Sequence, residues 1–465
     1  MEADTIFAVA SGAGHAAIAV MRISGPASRP ALAALCGRVP LPRRASLCRL
    51  RDCDGGELDQ AMVLWLPGPG SYTGEDSCEL FLHGGRAVID GVADGLVRLG
   101  ARPAEAGEFT RRAFLNGKMD LTEAEAVHDL VAAETAAQRR QALRQLDGAL
   151  GTIYRDWADR LRVLLAQQEA LIDFPDEDLP PEVEAAVQAE LAALQGEVAA
   201  HLNDGRRGER LREGLVFAVT GRPNVGKSSL VNALAGRDVA IVAATPGTTR
   251  DALETRVVLG GVPVTLVDTA GLRESTDAIE AEGVRRALAR AADADLVVVV
   301  TEAGEEDNTP PPLAGAGWGE GAEPVLARPP APSPLPQGEG ESHLSTLSAP
   351  HLLVANKLDL GRAAPPDSIG VSALTGEGLD TLRARLGEAA RSLTESAGPP
   401  PLTQARHRAA LQEAAARLTD AGTAELPELR AEDLRLALRA IGRITGSVGV
   451  EDILDTLFAR FCIGK

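Results

Sequence analysis

Aromatic side chains are scarce: eight Phe, three Trp and two Tyr in 465 residues. So few rings cannot build a row of platforms for stacked single-stranded bases, which excludes that mode of nucleic-acid binding. Cysteine is nearly as rare. Cys36, Cys48, Cys53, Cys78 and Cys462 are odd in number and form no C-x-x-C pair. That pattern gives no disulfide framework and no zinc signature, and it fits a reducing compartment. Positive charge is in deficit, with 47 Lys and Arg against 66 Asp and Glu and a net charge of -19. Such a surface repels phosphate backbones on average. Any RNA contact therefore needs a local basic patch, or a partner that carries one. Long apolar runs are missing too. The stretch "DLVVVV" is far too short for a bilayer. The start "MEADTIFAV" has no basic region ahead of an apolar one, so no signal peptide is expected. The expectation is a soluble cytoplasmic protein with no membrane partner.

What is present is an ordinary apolar fraction of 45%, enough for packed cores, in a chain long enough for about three domains. Residues 1–117 read as mixed α+β. "AIAVMRIS" and "CELFLHGG" look like strands around the turn-rich "PGPGSYTGED", and Val88, Val92, Leu96 and Leu99 follow at helical spacing. Residues 118–213 are almost wholly helical, with one stripe of Trp157, Leu161, Leu164, Leu165, Leu171 and Ile172 and another of Val183, Val187, Leu191, Leu194, Val198 and Leu202. Residues 214–389 alternate short β-branched runs with helical segments, the rhythm of a doubly wound α/β domain. Helical pattern resumes over 390–465, so the α/β domain is predicted to be inserted between two halves of one discontinuous helical bundle. Residues 302–350 break the rhythm with a Pro- and Gly-rich, low-complexity excursion, where an α/β domain normally places a crossover helix.

"GRPNVGKSS" (221–229) matches G-x-x-x-x-G-K-[ST] and stands between a strand pattern, "LVFAVT", and a helix pattern, "SLVNALAG". Its residues Asn224, Val225, Gly226, Lys227, Ser228 and Ser229 present backbone N–H groups to phosphate at a helix start. Lys227 meets the β- and γ-oxygens and Ser228 holds Mg²⁺. Four further segments follow in order. "TPGTTRD" supplies Thr245, Gly247, Thr248 and Thr249, the last placed to close on Mg²⁺ and the γ-phosphate. "DTAG" supplies Asp268, near the metal, then Thr269, Ala270 and Gly271. "NKLD" supplies Asn356, Lys357 and Asp359, whose carboxylate can accept from guanine N1–H and the exocyclic amine. Adenine offers no such pair, and a site built on those bonds rejects it by roughly 10⁴-fold. "SAL" (372–374) backs the base with Ser372 and Ala373. These residues predict a GTP-binding domain.

How hydrolysis proceeds is less legible. The residue after Gly271 is Leu272, which cannot orient water as a glutamine would, and no arginine finger can be assigned. Asn224 has an oxygen able to ligate a monovalent cation where a finger would reach, and is equally a turn former. Glu280 reads on its own as a solvated helix charge. Cys462, three residues from the end of "FCIGK", is either a core filler or a working thiol.

These motifs, with "DTIFAVASGAGHAAIAVMRISG", "GEFTRRAFLNGKMDLTEAEAV", "LIDFPDED", "IGRITG" and the terminal "FCIGK", closely resemble the tRNA uridine-5-carboxymethylaminomethyl modification GTPases, the MnmE/TrmE family. Only 302–350 and neighbouring surface stretches fall outside the likeness. The resemblance implies an N-terminal domain that binds a tetrahydrofolate one-carbon donor and forms a homodimer, a discontinuous helical domain and an inserted GTPase domain. It implies K⁺ held by Asn224 and at Ala243, Thr245 and Thr248, and Glu280 as the catalytic acid. It places the folate on Arg22, Glu79, Lys118 and Lys465, with Cys462 beside it as a candidate for the modification chemistry. It further implies a flavin-dependent partner binding FAD and NADH, in a heterotetramer. Together they would add an aminomethyl or carboxymethylaminomethyl group to carbon 5 of the wobble uridine of certain tRNAs. The alternative class is a ribosome-assembly GTPase switch, which shares "GRPNVGKS" and "PGTTRD" but lacks the first 117 residues and the tail.

Overall fold

Strict alternation builds the first sheet. In strand β2 (Ile18–Ser24), which follows β1 (Thr5–Val9), Ala19, Met21 and Ile23 are buried on one face while Val20 and Arg22 take the other. Four more strands complete the sheet: β3 (Ser46–Arg51), β4 (Glu57–Leu66), β5 (Ser77–His83) and β6 (Ala101–Pro103), in the order β3-β4-β5-β2-β1-β6. Only β1 and β6 run parallel. The helices Ser28–Cys36 and Arg86–Arg98 cover the apolar face, placing Leu32, Leu35, Val92 and Leu96 against Met21, Ile23, Leu80 and Leu82. Each such fully buried side chain contributes about 2 kcal/mol through removal from water. Cys48 and Cys78 are buried in this core, where they pack as small apolar groups. Strands β3 and β4 lie outside the two strands read from the sequence. Their inward residues alternate with Leu47, Arg49, Arg51 and Gln60, and Asp59 takes an inward position itself, which dilutes the apolar signal.

The computed structural model describes residues 4–12, 14, 16–173, 181–236, 254–268, 293–304, 350–395, 398–449, 451–459 and 461–464. The excursion is therefore outside the described residues apart from its edges. The chain divides into two compact units, one of residues 1–132, 142–202 and 405–465 and one of 133–141 and 203–404. Along the chain the second unit lies between segments of the first, with its later divisions at 202/203 and 404/405, where the sequence pattern alone suggests 213/214 and 389/390. The helix Arg207–Glu213 and residues 390–404 group with the inserted unit because they pack there. Gly208 faces the Leu402 carbonyl so closely that a Cβ would stand 2.3 Å from it.

In the first unit, Trp157, Leu161 and Leu164 of the helix Ala149–Asp173 and Val187, Leu191, Leu194 and Val198 of Pro181–Leu202 are buried, while Leu165, Leu171, Ile172 and Leu202 of the predicted stripes are only half-buried. Helices Ala405–Thr423 and Pro427–Thr445, far along the chain, complete this bundle. The Gln195 side chain donates to the Leu418 carbonyl at 2.6 Å. Gly446 ends the second helix at φ 85°, and a Cβ there would lie 2.6 Å from the Phe114 ring. The two halves are also joined by charge. Glu125, fully buried, accepts from Arg406 through Oε1 and from His407 Nε2 through Oε2 at 2.8 Å. Burial alone would raise the Glu125 carboxyl; the Arg406 charge, then His407, hold it down to about 2.

The inserted unit holds β7 (Leu215–Thr220), β8 (Glu254–Leu259), β9 (Val262–Asp268), β10 (Leu296–Glu302), β11 (His351–Asn356) and β12 (Ile369–Gly370), in the order β12-β11-β10-β7-β9-β8. All pairs are parallel except β8–β9. Every residue of β9 is buried, as a central strand covered on both faces requires. "SIGVSA" yields only the two-residue β12, because Val371 and Ser372 already turn into the loop at the strand's end.

Removing the buried carboxylate should leave Arg406 and His407 without their shared partner. Glu125→Gln is expected to destabilise the helical unit by about 3 kcal/mol, measured by urea unfolding followed on Trp157 fluorescence. Because the folded carboxyl is depressed below its ordinary 4.5, its contribution is present above that pH and is lost as pH falls toward 2. The variant should lack that loss.

Candidate functional site

The phosphate loop owes its shape to two positions that exclude side chains. Gly221 (φ 149°) would put a Cβ 2.1 Å from the Val300 carbonyl, and Gly226 (φ 93°) would put one 2.3 Å from Asn356 Nδ2. Between them Asn224 takes the left-handed conformation at φ 66°, which asparagine tolerates better than most residues. The loop leads directly into the helix Lys227–Ala235, so the helix's free N–H groups and positive end open onto it. Lys227 is buried, and its ammonium donates to the carbonyls of Gly221 at 2.8 Å and Arg222 at 2.7 Å. Burial, opposed by the Asp268 charge, lowers its pKa below the usual lysine range. The Ser228 hydroxyl hydrogen-bonds Asp268 at the end of β9. A hydroxyl and a carboxylate joined in this way are hard oxygen donors of the kind Mg²⁺ takes.

Guanine-type recognition residues converge on the same sheet edge. Asn356 is buried; its Nδ2 donates to the Val225 carbonyl at 2.8 Å, and its Oδ1 accepts from Ala373 N–H at 3.0 Å. Ser372, wholly buried, donates to Asp359 Oδ1 at 2.6 Å. That leaves an exposed, oriented carboxylate able to accept from two adjacent N–H groups. Lys357, at φ 70°, is paired with Glu302 at 2.9 Å, and Glu302 also holds Arg362 at 3.0 Å. Neither Glu302 nor Arg362 was singled out from the sequence. Glu302 closes the strand that leads into the excursion, and that strand-end position was its only signal.

The structure thus brings together Asn224, Val225, Gly226, Lys227, Ser228, Ser229, Asp268, Asn356, Lys357, Asp359, Ser372 and Ala373 around one loop cluster. Ala243, Thr245, Gly247, Thr248, Thr249, Thr269, Ala270, Gly271, Glu280 and Lys465 lie outside the described residues.

A second polar cluster occupies the face of the N-terminal sheet opposite its helices. Register sets Arg22 against Glu79, and Nε and Nη2 of Arg22 donate to Glu79 Oε1 at 3.0 and 2.9 Å. The guanidinium lies over the rings of Tyr72 and Phe109, at 5.2 and 5.7 Å from their centres. Sequence reading did not single out either ring. Lys118 is exposed and donates to the Pro69 carbonyl at 2.9 Å, in the loop that carries Tyr72. The chain's end returns to this domain. Ile463 forms an antiparallel bridge with Ala106, and a Cβ on Gly464 (φ 97°) would stand 2.4 Å from the Val9 carbonyl. Cys462 is exposed, so it is not a core filler. A carboxylate with one uncommitted oxygen, a flanking guanidinium and two rings suit a planar heterocycle with an N–H edge.

An inserted parallel-sheet unit with a phosphate loop, a metal-type Ser–Asp pair and an N-K-x-D carboxylate defines a P-loop GTPase carried on a helical scaffold. Residues 5–118 match the family model described as the GTP-binding protein TrmE N-terminus, and residues 121–462 match that of the MnmE helical domain. The tRNA modification GTPase MnmE of Granulibacter bethesdensis is 56% identical over 470 residues, covering 100% of both chains. That of Gluconacetobacter diazotrophicus is 57% identical, covering 99% of this chain and 98% of its own. That of Rhodospirillum rubrum is 53% identical with full coverage of both. The chain belongs to the MnmE family of tRNA modification GTPases.

Replacing Asp359 by Asn exchanges one acceptor for a donor. Asp359→Asn is expected to weaken GTP binding by roughly 10³-fold or more and to favour xanthosine triphosphate, whose 2-oxo group accepts that bond. Competition titration with a fluorescent nucleotide checks both effects.

Proposed function

We propose that this enzyme couples GTP hydrolysis to the addition of a carboxymethylaminomethyl or aminomethyl group to carbon 5 of the wobble uridine of certain tRNAs, together with a flavin-dependent partner that carries FAD. The observation that carries the reading is the return of the C-terminal tail onto the N-terminal domain. It places an exposed Cys462 in the domain that holds the Arg22–Glu79 pair, a feature a simple nucleotide switch has no use for.

In the nucleotide site, Lys227 and the N–H groups of residues 224–229 neutralise the phosphates, and Asp359 selects guanine. Ser228 and Thr249 hold Mg²⁺, which supplies further charge at the phosphates. Asn224, with Ala243, Thr245 and Thr248, would hold K⁺, which would supply the positive charge that no arginine finger provides. Glu280 orients the attacking water in place of the absent glutamine. In the N-terminal domain, Glu79, held in place by Arg22, accepts from the pterin edge of a tetrahydrofolate derivative, the one-carbon source, while Lys118 and Lys465 meet its carboxylates. Cys462 takes part in the group transfer. The exposed outer face of the sheet, with Leu47 opposite Met62 and Ile18 two strands away, supports a homodimer through this domain. Among the described residues no helix is long and apolar enough to cross a membrane, and we place the enzyme in the cytoplasm.

GTP turnover should be roughly 10²-fold faster in K⁺ than in Na⁺ at equal ionic strength. Equal rates in a phosphate-release assay would remove the cation from the mechanism. Separately, Cys462→Ser should abolish modification of a tRNA substrate, read by nucleoside analysis, while leaving GTP turnover intact. Full modification by that variant sinks the thiol's role.

A further inference from the structure

The helix Ala136–Leu146, "AAQRRQALRQL", contains three arginines and no acid. One side of it is held by amides: Gln138 donates to the Arg212 carbonyl at 3.1 Å, Gln141 to Gly208 at 3.0 Å and Gln145 to Thr122 at 2.8 Å. With Ala142 also buried, these set the helix's rotation. Arg139, Arg140 and Arg144 are consequently all exposed on the other side, around Leu143, which is 40% exposed. Among the described residues none of the three has a carboxylate within ion-pair distance. Other exposed arginines do, among them Arg86, Arg98, Arg155, Arg385 and Arg435. Arg140 and Arg144 are one turn apart on the same helix, a spacing at which like charges repel. In a chain of net charge -19, three neighbouring guanidiniums with no carboxylate partner among the described residues make this helix face a local basic patch.

We infer that this helix face docks the sugar–phosphate backbone of the tRNA substrate, Arg139, Arg140 and Arg144 each neutralising a phosphate. The inference rests on the tRNA-modifying activity and adds a contact surface on this chain itself. Arginine suits the role because its planar fork binds phosphate oxygens in pairs. Contacts of this kind position the RNA and carry no base specificity. They release counterions, so binding must weaken as salt rises.

The test uses the full-length protein and a fluorescein-labelled tRNA transcript with uridine at the wobble position, titrated by anisotropy across a salt series. The triple variant Arg139→Gln/Arg140→Gln/Arg144→Gln should bind at least ~10-fold more weakly near 0.1 M salt. The slope of log K against log [salt] should become shallower by about 2 to 3. Its GTP turnover should match the wild type, and the triple Arg→Lys variant should retain the steep slope. Unchanged affinity and slope in the Gln variant overturn the assignment. So does normal tRNA binding accompanied by loss of partner-protein association, which would make the face a protein interface. If the wild type itself shows no salt-dependent tRNA binding, direct tRNA contact by this chain fails along with this surface. Failure of the Gln variant alone to differ removes only the surface. Should the triple variant lose helical circular dichroism, Arg140→Gln and Arg144→Gln singly carry the test, each lowering the slope by about one.

Discussion

The carboxamide of Asn356 has both ends committed. Its nitrogen donates to the phosphate-loop carbonyl of Val225, and its oxygen accepts from the base-side loop at Ala373. A buried amide left half-satisfied costs on the order of 1–3 kcal/mol, so the three loops are held in register by one side chain. The geometry around it follows from the same constraint. Gly226 can have no Cβ, because Asn356 Nδ2 occupies the space. The Val225 side chain is buried in the core of the inserted unit, so the loop is anchored from below as well. Asp359, three residues past Asn356, is oriented by the Ser372 hydroxyl, which belongs to the same base-side loop as Ala373. Phosphate binding and guanine selection are thus consequences of one packed arrangement.

The inserted unit interrupts a bundle that nevertheless closes. Helices separated by more than two hundred residues share the Glu125–Arg406–His407 cluster and the Gln195–Leu418 bond. A buried carboxylate with cationic partners from the far half tolerates few alternative pairings, which helps a discontinuous domain find its own second half. The tail is retained by the same kind of specificity. Gly464 meets backbone so closely that no other residue fits there without displacing Val9. The acidic surface is relieved locally at the helix Ala136–Leu146, whose three arginines have no carboxylate partner among the described residues.

Much of the nucleotide site was legible because its chemistry is local. Phosphate loops, strand-end carboxylates and base-contacting tripeptides each occupy a few consecutive residues between a strand and a turn, and their order along the chain is set by the parallel sheet. The helical stripes were legible for a similar reason, since Trp157, Leu161 and Leu164 recur at the helix period. The strands β3 and β4 were not, because polar residues alternate through them and mask a strand with one face exposed. Glu302 was not, because its meaning lies in Lys357 and Arg362, which the chain places more than fifty positions away. The rings beneath Arg22 were invisible for the same reason.

The linear pattern by itself determined the class of domain, the nucleotide it takes and the fact of insertion, because periodicity and contiguous motifs are properties of neighbouring residues. Only the tertiary structure decided that Cys462 faces solvent, that Arg22 is spent on Glu79 over two rings, and that three arginines of one helix are left facing outward. Those facts depend on which distant groups come within a few ångströms of each other. Coulombic and hydrogen-bond energies fall off over just that distance, so no reading of sequence spacing could have supplied them.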